Sequence, residues 1–77
     1  MSLVYIKEVM QILSNSTGVE LEELHAEDTL ESLSLTSVQM YVFLSSLEDA
    51  FMISLPDSLL FSQTTLKSFA QYIEENK

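Results

Sequence analysis

A chain of 77 residues forms at most one domain, and at this size it buries only ~60% of the surface its unfolded form exposes, which leaves little room for an enclosed active-site cavity. Apolar residues make up 47% of it and cysteine is absent, so it reads as a folded globular domain with no disulfide, no thiolate metal site and no Cys nucleophile. Its net charge of −9, with Lys7, Lys67 and Lys77 as the only basic side chains, excludes nucleic-acid binding, which needs clustered Lys and Arg, and points to basic protein surfaces or cations as partners.

The apolar spacing is helical from the start. Leu3, Ile6, Val9, Met10 and Leu13 recur at three- and four-residue steps, separated by Lys7, Glu8, Gln11 and Ser14. This predicts an amphipathic helix with one buried face. It should end near Asn15-Ser16-Thr17-Gly18, where the single glycine can take the left-handed conformation common just past a helix end. No apolar run approaches the ~20 residues of a membrane span. The first residues also lack the basic region and small-residue cleavage site of a signal peptide. A cytoplasmic, reducing setting is therefore expected, consistent with the absence of Cys.

Residues 19–36 form a long connection that holds six of the twelve acids: Glu20, Glu22, Glu23, Glu27, Asp28 and Glu31. Val19, Leu21, Leu24, Leu30, Leu33 and Leu35 are spread through it, so it should lie along the bundle and hold itself there by single apolar contacts. Loops this long inside a small domain are functional or disordered, and the regular leucines argue for order. His25 reads as a solvated loop residue without metal-ligand spacing. The acids beside it lack the Asp/Asn-and-Gly pattern of a calcium loop, so no metal site is expected.

A second helix is expected from Ser37 to Phe51. At about 100° per residue, Met40, Phe43, Leu44, Leu47 and Phe51 share one face and form the core side. Val38, Val42, Ser45 and Asp49 occupy the opposite face, with Tyr41 and Ser46 at its margins. A solvated face should be polar, so Val38, Val42 and Tyr41 beside acids suggest a docking surface. Pro56 and Asp57 introduce a short helical turn over Ser58 to Phe61. Thr64 or Thr65 can cap a last helix whose inner face is Leu66, Phe69, Ala70 and Ile73, with Glu74-Glu75-Asn76-Lys77 as its polar end. The fold class is all-α: a four-helix bundle of three longer helices and one short one.

These landmarks resemble a known family. Leu30-Glu31-Ser32-Leu33-Ser34-Leu35-Thr36-Ser37-Val38 is similar to the L-E-D-L-G-L-D-S-L segment of the acyl and peptidyl carrier proteins, whose Ser bears the prosthetic group. Leu47-Glu48-Asp49-Ala50-Phe51 resembles the family's L-E-E-x-F, and Leu55-Pro56-Asp57 its I-P-D. Leu60-Phe61 followed by Thr65-Leu66 and Tyr72-Ile73 resembles the ending typical of carriers in polyketide and nonribosomal-peptide assembly. Upstream, Thr17-Gly18-Val19 and Glu22-Glu23-Leu24 match the end of helix one and the start of loop one. No gap is needed from Leu30 to Ile73. Placing Ser34-Leu35 on the family's S-L instead would require three extra residues before Phe51 and break the Leu30–Leu33 match. Two positions depart from the pattern: Ser34 stands for the usual Gly, and Thr36 for the Asp that helps a transferase recognise its substrate.

The resemblance implies a non-enzymatic carrier with an acyl-carrier-type bundle over residues 1–77. A 4′-phosphopantetheine arm from coenzyme A would be attached to Ser37, and an acyl or aminoacyl group would ride on the arm's thiol as a thioester. Implied partners are a phosphopantetheinyl transferase and the loading and condensing enzymes of polyketide, nonribosomal-peptide or specialised fatty-acid synthesis. They would pack on Val38, Tyr41 and Val42 and meet Glu48 and Asp49 with basic groups, and the carrier itself would be a monomer. An alternative from another class is a carrier-like fold that stays unmodified and acts as an acidic adaptor, an idea motivated by Ser34 and Thr36. Ser37 also has a plain structural reading, as the N-cap of its helix.

Overall fold

The computed structural model describes residues 4–61 and 64–76; Leu3 and Lys77, placed above on the first helix and at the polar end, lie outside the described residues. Among these residues it contains four α-helices: α1 (Ile6–Thr17), α2 (Ser37–Phe51), α3 (Ser58–Phe61) and α4 (Leu66–Asn76). A 3₁₀ turn at Leu21–Glu23 interrupts the first connection. There is no strand among the described residues, only an isolated antiparallel bridge between Thr29 and Thr65. The all-α bundle expected from the apolar spacing is the architecture observed.

α1 turns Val9 and Leu13 fully inward, with Ile6, Met10 and Ile12 packed at the edge of the core. It ends at Gly18, whose φ of 81° is left-handed and whose N–H donates to the Ser14 carbonyl at 2.9 Å. A Cβ at Gly18 would meet nothing within 4 Å, so glycine is favoured there by backbone conformation rather than by space.

The long connection is ordered, and much of the reason is that it caps α4. The first N–H groups of a helix lack partners within it. Here the Leu66 N–H donates to the Asp28 carbonyl and the Lys67 N–H to the Ala26 carbonyl, both at 2.9 Å. The Ser68 N–H donates to Thr65 Oγ1 at 3.1 Å. Of the two threonines that could cap this helix, Thr65 does so. Leu24 and Leu30 anchor the same connection in the core, and Val19, Leu33 and Leu35 pack partly against it. Leu21 departs from the expectation of inward leucines: it is 41% exposed. The backbone changes from the 3₁₀ turn to an extended conformation at Leu24, so Leu24 reaches the core while Leu21 stays at the surface.

α2 buries Phe43, Leu44, Leu47 and Phe51, with Met40 partly covered. α4 buries Leu66, Phe69, Ala70 and Ile73. α1 packs against both. The Phe43 and Phe69 rings meet edge to face at 5.3 Å and join α2 to α4. Tyr5 and Phe51 do the same at 5.1 Å, between the start of α1 and the end of α2. Such pairs contribute about 0.5–1.5 kcal/mol beyond the area they bury.

Candidate functional site

The segment that leads into α2 sets up its first turn. The Ser34 N–H donates to the Glu31 carbonyl at 3.0 Å, and Ser34 has a φ of 57°. This is the left-handed region that glycine enters without steric cost and other residues do not. The position where the sequence pattern usually has Gly is thus one where the backbone calls for it. Two residues on, Thr36 is the N-cap of α2. Its Oγ1 accepts from the Gln39 N–H at 3.1 Å, and the Gln39 Oε1 accepts from the Thr36 N–H at 2.9 Å. This reciprocal pair is a capping box, which satisfies two N–H groups left over at the helix start. Gln39 was not singled out above, although the Thr-x-x-Gln spacing is a readable sign of it.

Because Thr36 takes the capping task, Ser37 does not. Ser37 is the first residue of α2 and is exposed, and its hydroxyl has no hydrogen-bond partner among the described residues. The N–H groups of Ser37 and Val38 also sit in the first turn, where no carbonyl of the helix can accept from them. α2 carries no acid in that turn. A phosphate ester on the Ser37 Oγ would therefore meet the positive end of the helix with no carboxylate in that first turn to repel it.

From Ser37 an open groove of about 470 Å³ runs along the outward side of α2, past Val38, Tyr41, Val42 and Ser45 to Asp49. Val38 is 72% exposed, Tyr41 44% and Val42 43%. The structure thus brings five of the six residues named above as attachment or partner residues onto one face: Ser37, Val38, Tyr41, Val42 and Asp49. Glu48 sits apart from them. It is half-buried, and its Oε2 accepts from the Leu55 N–H at 2.7 Å, so its carboxylate holds the turn that follows α2. That turn begins at Met52, which ends α2 with a φ of 58° and is 87% exposed. At the far end of the groove, Ser46 Oγ lies 3.3 Å from Ser16 Oγ, a hydrogen bond that ties α2 to α1.

The acidic connection gathers no metal site: among the described residues no group of three or more His, Asp or Glu side chains is placed to hold an ion. His25 lies near Asp28, whose Oδ2 accepts from the His25 N–H at 2.9 Å and lies 3.7 Å from Nδ1. No helix among the described residues is long and apolar enough to cross a membrane.

The family model for the phosphopantetheine attachment site matches residues 7–73. The chain belongs to this family. A comparison with curated proteins returned no match. Members of the phosphopantetheine attachment family carry 4′-phosphopantetheine covalently on a serine and are not themselves catalytic. The chain is accordingly a carrier protein. Its small helical bundle suits that task. In a carrier of this family the prosthetic group supplies a terminal thiol that forms a thioester with the cargo. The protein's own residues have to expose one hydroxyl, accommodate a phosphodiester beside it and present a surface to partner enzymes.

Proposed function

We propose that Ser37 is the serine that bears the arm, and that the chain presents an acyl or aminoacyl thioester to the enzymes of polyketide, nonribosomal-peptide or specialised fatty-acid synthesis. The observation that carries this reading is the division of labour at the start of α2, where Thr36 caps the helix and leaves the neighbouring Ser37 hydroxyl exposed and unengaged. In the attachment step the Ser37 oxygen forms a bond to the pantetheine-linked phosphorus of coenzyme A. The phosphoanhydride bond breaks, adenosine 3′,5′-bisphosphate leaves, and the serine proton passes to a base on the transferase. The carrier needs no base of its own for this.

Partners are proposed to dock on Val38, Tyr41 and Val42, with Asp49, and Glu48 at the margin, facing basic groups. A small, partly charged surface suits enzymes that must bind and release the carrier repeatedly. On this reading residues 1–77 act as one carrier domain, monomeric and cytoplasmic. The competing idea of an unmodified acidic adaptor drew on Ser34 and Thr36. Thr36 keeps the capping task at the helix start, so the ground left for that idea is the missing Asp carboxylate that a transferase would read, and the modification assay decides it.

Mass spectrometry after incubation with coenzyme A and a broad-specificity phosphopantetheinyl transferase tests the assignment. One phosphopantetheine should be added to the wild-type chain and none to Ser37→Ala. Addition that persists in Ser37→Ala would move the site to another serine. No addition with any of several transferases would favour the adaptor.

A further inference from the structure

Two adjacent hydroxyl residues compete to start α2. Ser ranks above Thr as an N-cap, yet Thr36 holds the position, with an extended backbone of φ −74° and ψ 163°. The residues that each start places around it explain why. A start at Thr36 puts Gln39 three residues on, and its Oε1 accepts from the Thr36 N–H at 2.9 Å. A start at Ser37 would put Met40 there, and a thioether is only a weak acceptor for the reciprocal bond. The observed start also places Leu35 before the cap and Met40 at the fourth helical position. These are the two positions of a hydrophobic staple, and both residues pack against the core. The later start would put Thr36 and Tyr41 in those positions, and both are exposed.

The contested donor is the Met40 N–H. It donates to the Thr36 carbonyl at 3.0 Å. With the helix started one residue later its acceptor would be Ser37 Oγ, because an N-cap side chain takes the N–H of the second or third residue after it. The Ser37 oxygen would then be turned back onto the helix. We propose that Gln39 is a positioning residue for arm attachment: it holds α2 in the start that leaves the Ser37 hydroxyl free. The proposal rests on Ser37 being the attachment point. Gln39 acts through the Thr36 backbone, and Leu35 and Met40 support the same start. A transferase can use only those molecules whose Ser37 oxygen is free to bond to phosphorus. Losing the Gln39 side chain shrinks that fraction, which raises the apparent KM for the carrier and leaves kcat nearly unchanged.

The test reads the helix start and the modification separately. In the unmodified protein, nuclear magnetic resonance should show the Ser37 backbone shifts moving from helical toward extended values in Gln39→Ala. They should move further in the double variant Gln39→Ala with Met40→Gln, which hands the box to Ser37. Gln39→Glu keeps a capping box and should keep the wild-type start. With coenzyme A and a phosphopantetheinyl transferase, Gln39→Ala should raise KM for the carrier severalfold at similar kcat, and Gln39→Glu should restore it. Circular dichroism checks that Gln39→Ala keeps its helicity, so that the KM change is not a loss of fold. A Ser37 signal that does not move in Gln39→Ala would overturn the proposal, as would one that moves while KM stays at the wild-type value. A fall in kcat at unchanged KM would also overturn it. If the wild-type chain takes up no phosphopantetheine, the attachment reading fails and the positioning role falls with it, whatever the resonance shifts show about the helix start.

Discussion

Thr36 and Ser37 are adjacent hydroxyl residues at one helix start, and their tasks differ. The Thr36 hydroxyl accepts the Gln39 N–H, whereas Ser37 is exposed and unengaged. Thr36→Ala should therefore cost about 1 kcal/mol, while Ser37→Ala should stay within about 0.5 kcal/mol of wild type. Urea denaturation of the two variants checks this, and equal losses would contradict the capping assignment. Two other residues sit against their own conformational preference. Ser34 and Met52 both have positive φ without being glycine, at a cost of about 1–2 kcal/mol for an L side chain. Met52 is 87% exposed, so Met52→Gly gives up little packing. Met52→Gly and Ser34→Gly should each raise stability by about 0.5–1 kcal/mol once the greater unfolded-state entropy of glycine is counted. In a domain of this size 1 kcal/mol moves Tm by roughly 4–8 °C, so a thermal melt resolves the effect, and an unchanged or lower Tm in both variants would refute it.

At the scale of elements, helix ends matter more than helix interiors. α2 and the turn after it are joined by Glu48, whose backbone carbonyl accepts from the Ile53 N–H at 3.3 Å and whose carboxylate accepts from the Leu55 N–H at 2.7 Å. Hydrogen bonds to charged groups contribute about 1.5–3 kcal/mol. Glu48→Ala should accordingly destabilise by about 1–2 kcal/mol and speed hydrogen exchange at the Leu55 amide, whereas Asp49→Ala, at an exposed position, should do neither. Equal effects of the two substitutions would mean that Glu48 is not holding the turn. The extent and inner faces of α2 and α4 were legible in the sequence, because the 3.6-residue period of a helix makes apolar spacing report directly which side is buried. The bond from Glu48 to Leu55 was not legible. It depends on how the chain turns after Met52, which no periodic pattern encodes.

Across the whole molecule, charge is distributed unevenly. Half of the twelve acids sit in residues 19–36, while among the described residues the groove on α2 has Asp49 as the only acid that lines it. Like charges gathered on a compact chain repel one another, and this repulsion is screened within about 10 Å at 0.1 M salt. Tm should therefore rise as sodium chloride goes from about 0.01 to 0.2 M, and a flat or falling Tm would show that the acids are already compensated. The same distribution gives the connection six negative charges against a net charge of −9 and leaves the face beginning at Ser37 largely apolar. Glu48 and Asp49, both expected as partner contacts, differ in setting: the Glu48 carboxylate accepts from the Leu55 N–H at 2.7 Å, whereas Asp49 is exposed beside the groove.

The sequence by itself determined the helical class, the buried faces, the position of Ser37 at the start of α2 and the spacing that marks the carrier pattern. Each of these is a local or periodic property, written by residue type and separation along the chain. Tertiary structure alone decided that Leu21 stays outside while Leu24 goes in, and that the carbonyls of Ala26 and Asp28 cap α4. Those outcomes depend on which unpaired backbone groups the fold brings within hydrogen-bonding reach. For a buried or half-buried donor, finding an acceptor is close to obligatory, but which acceptor it finds is set only when the helices pack.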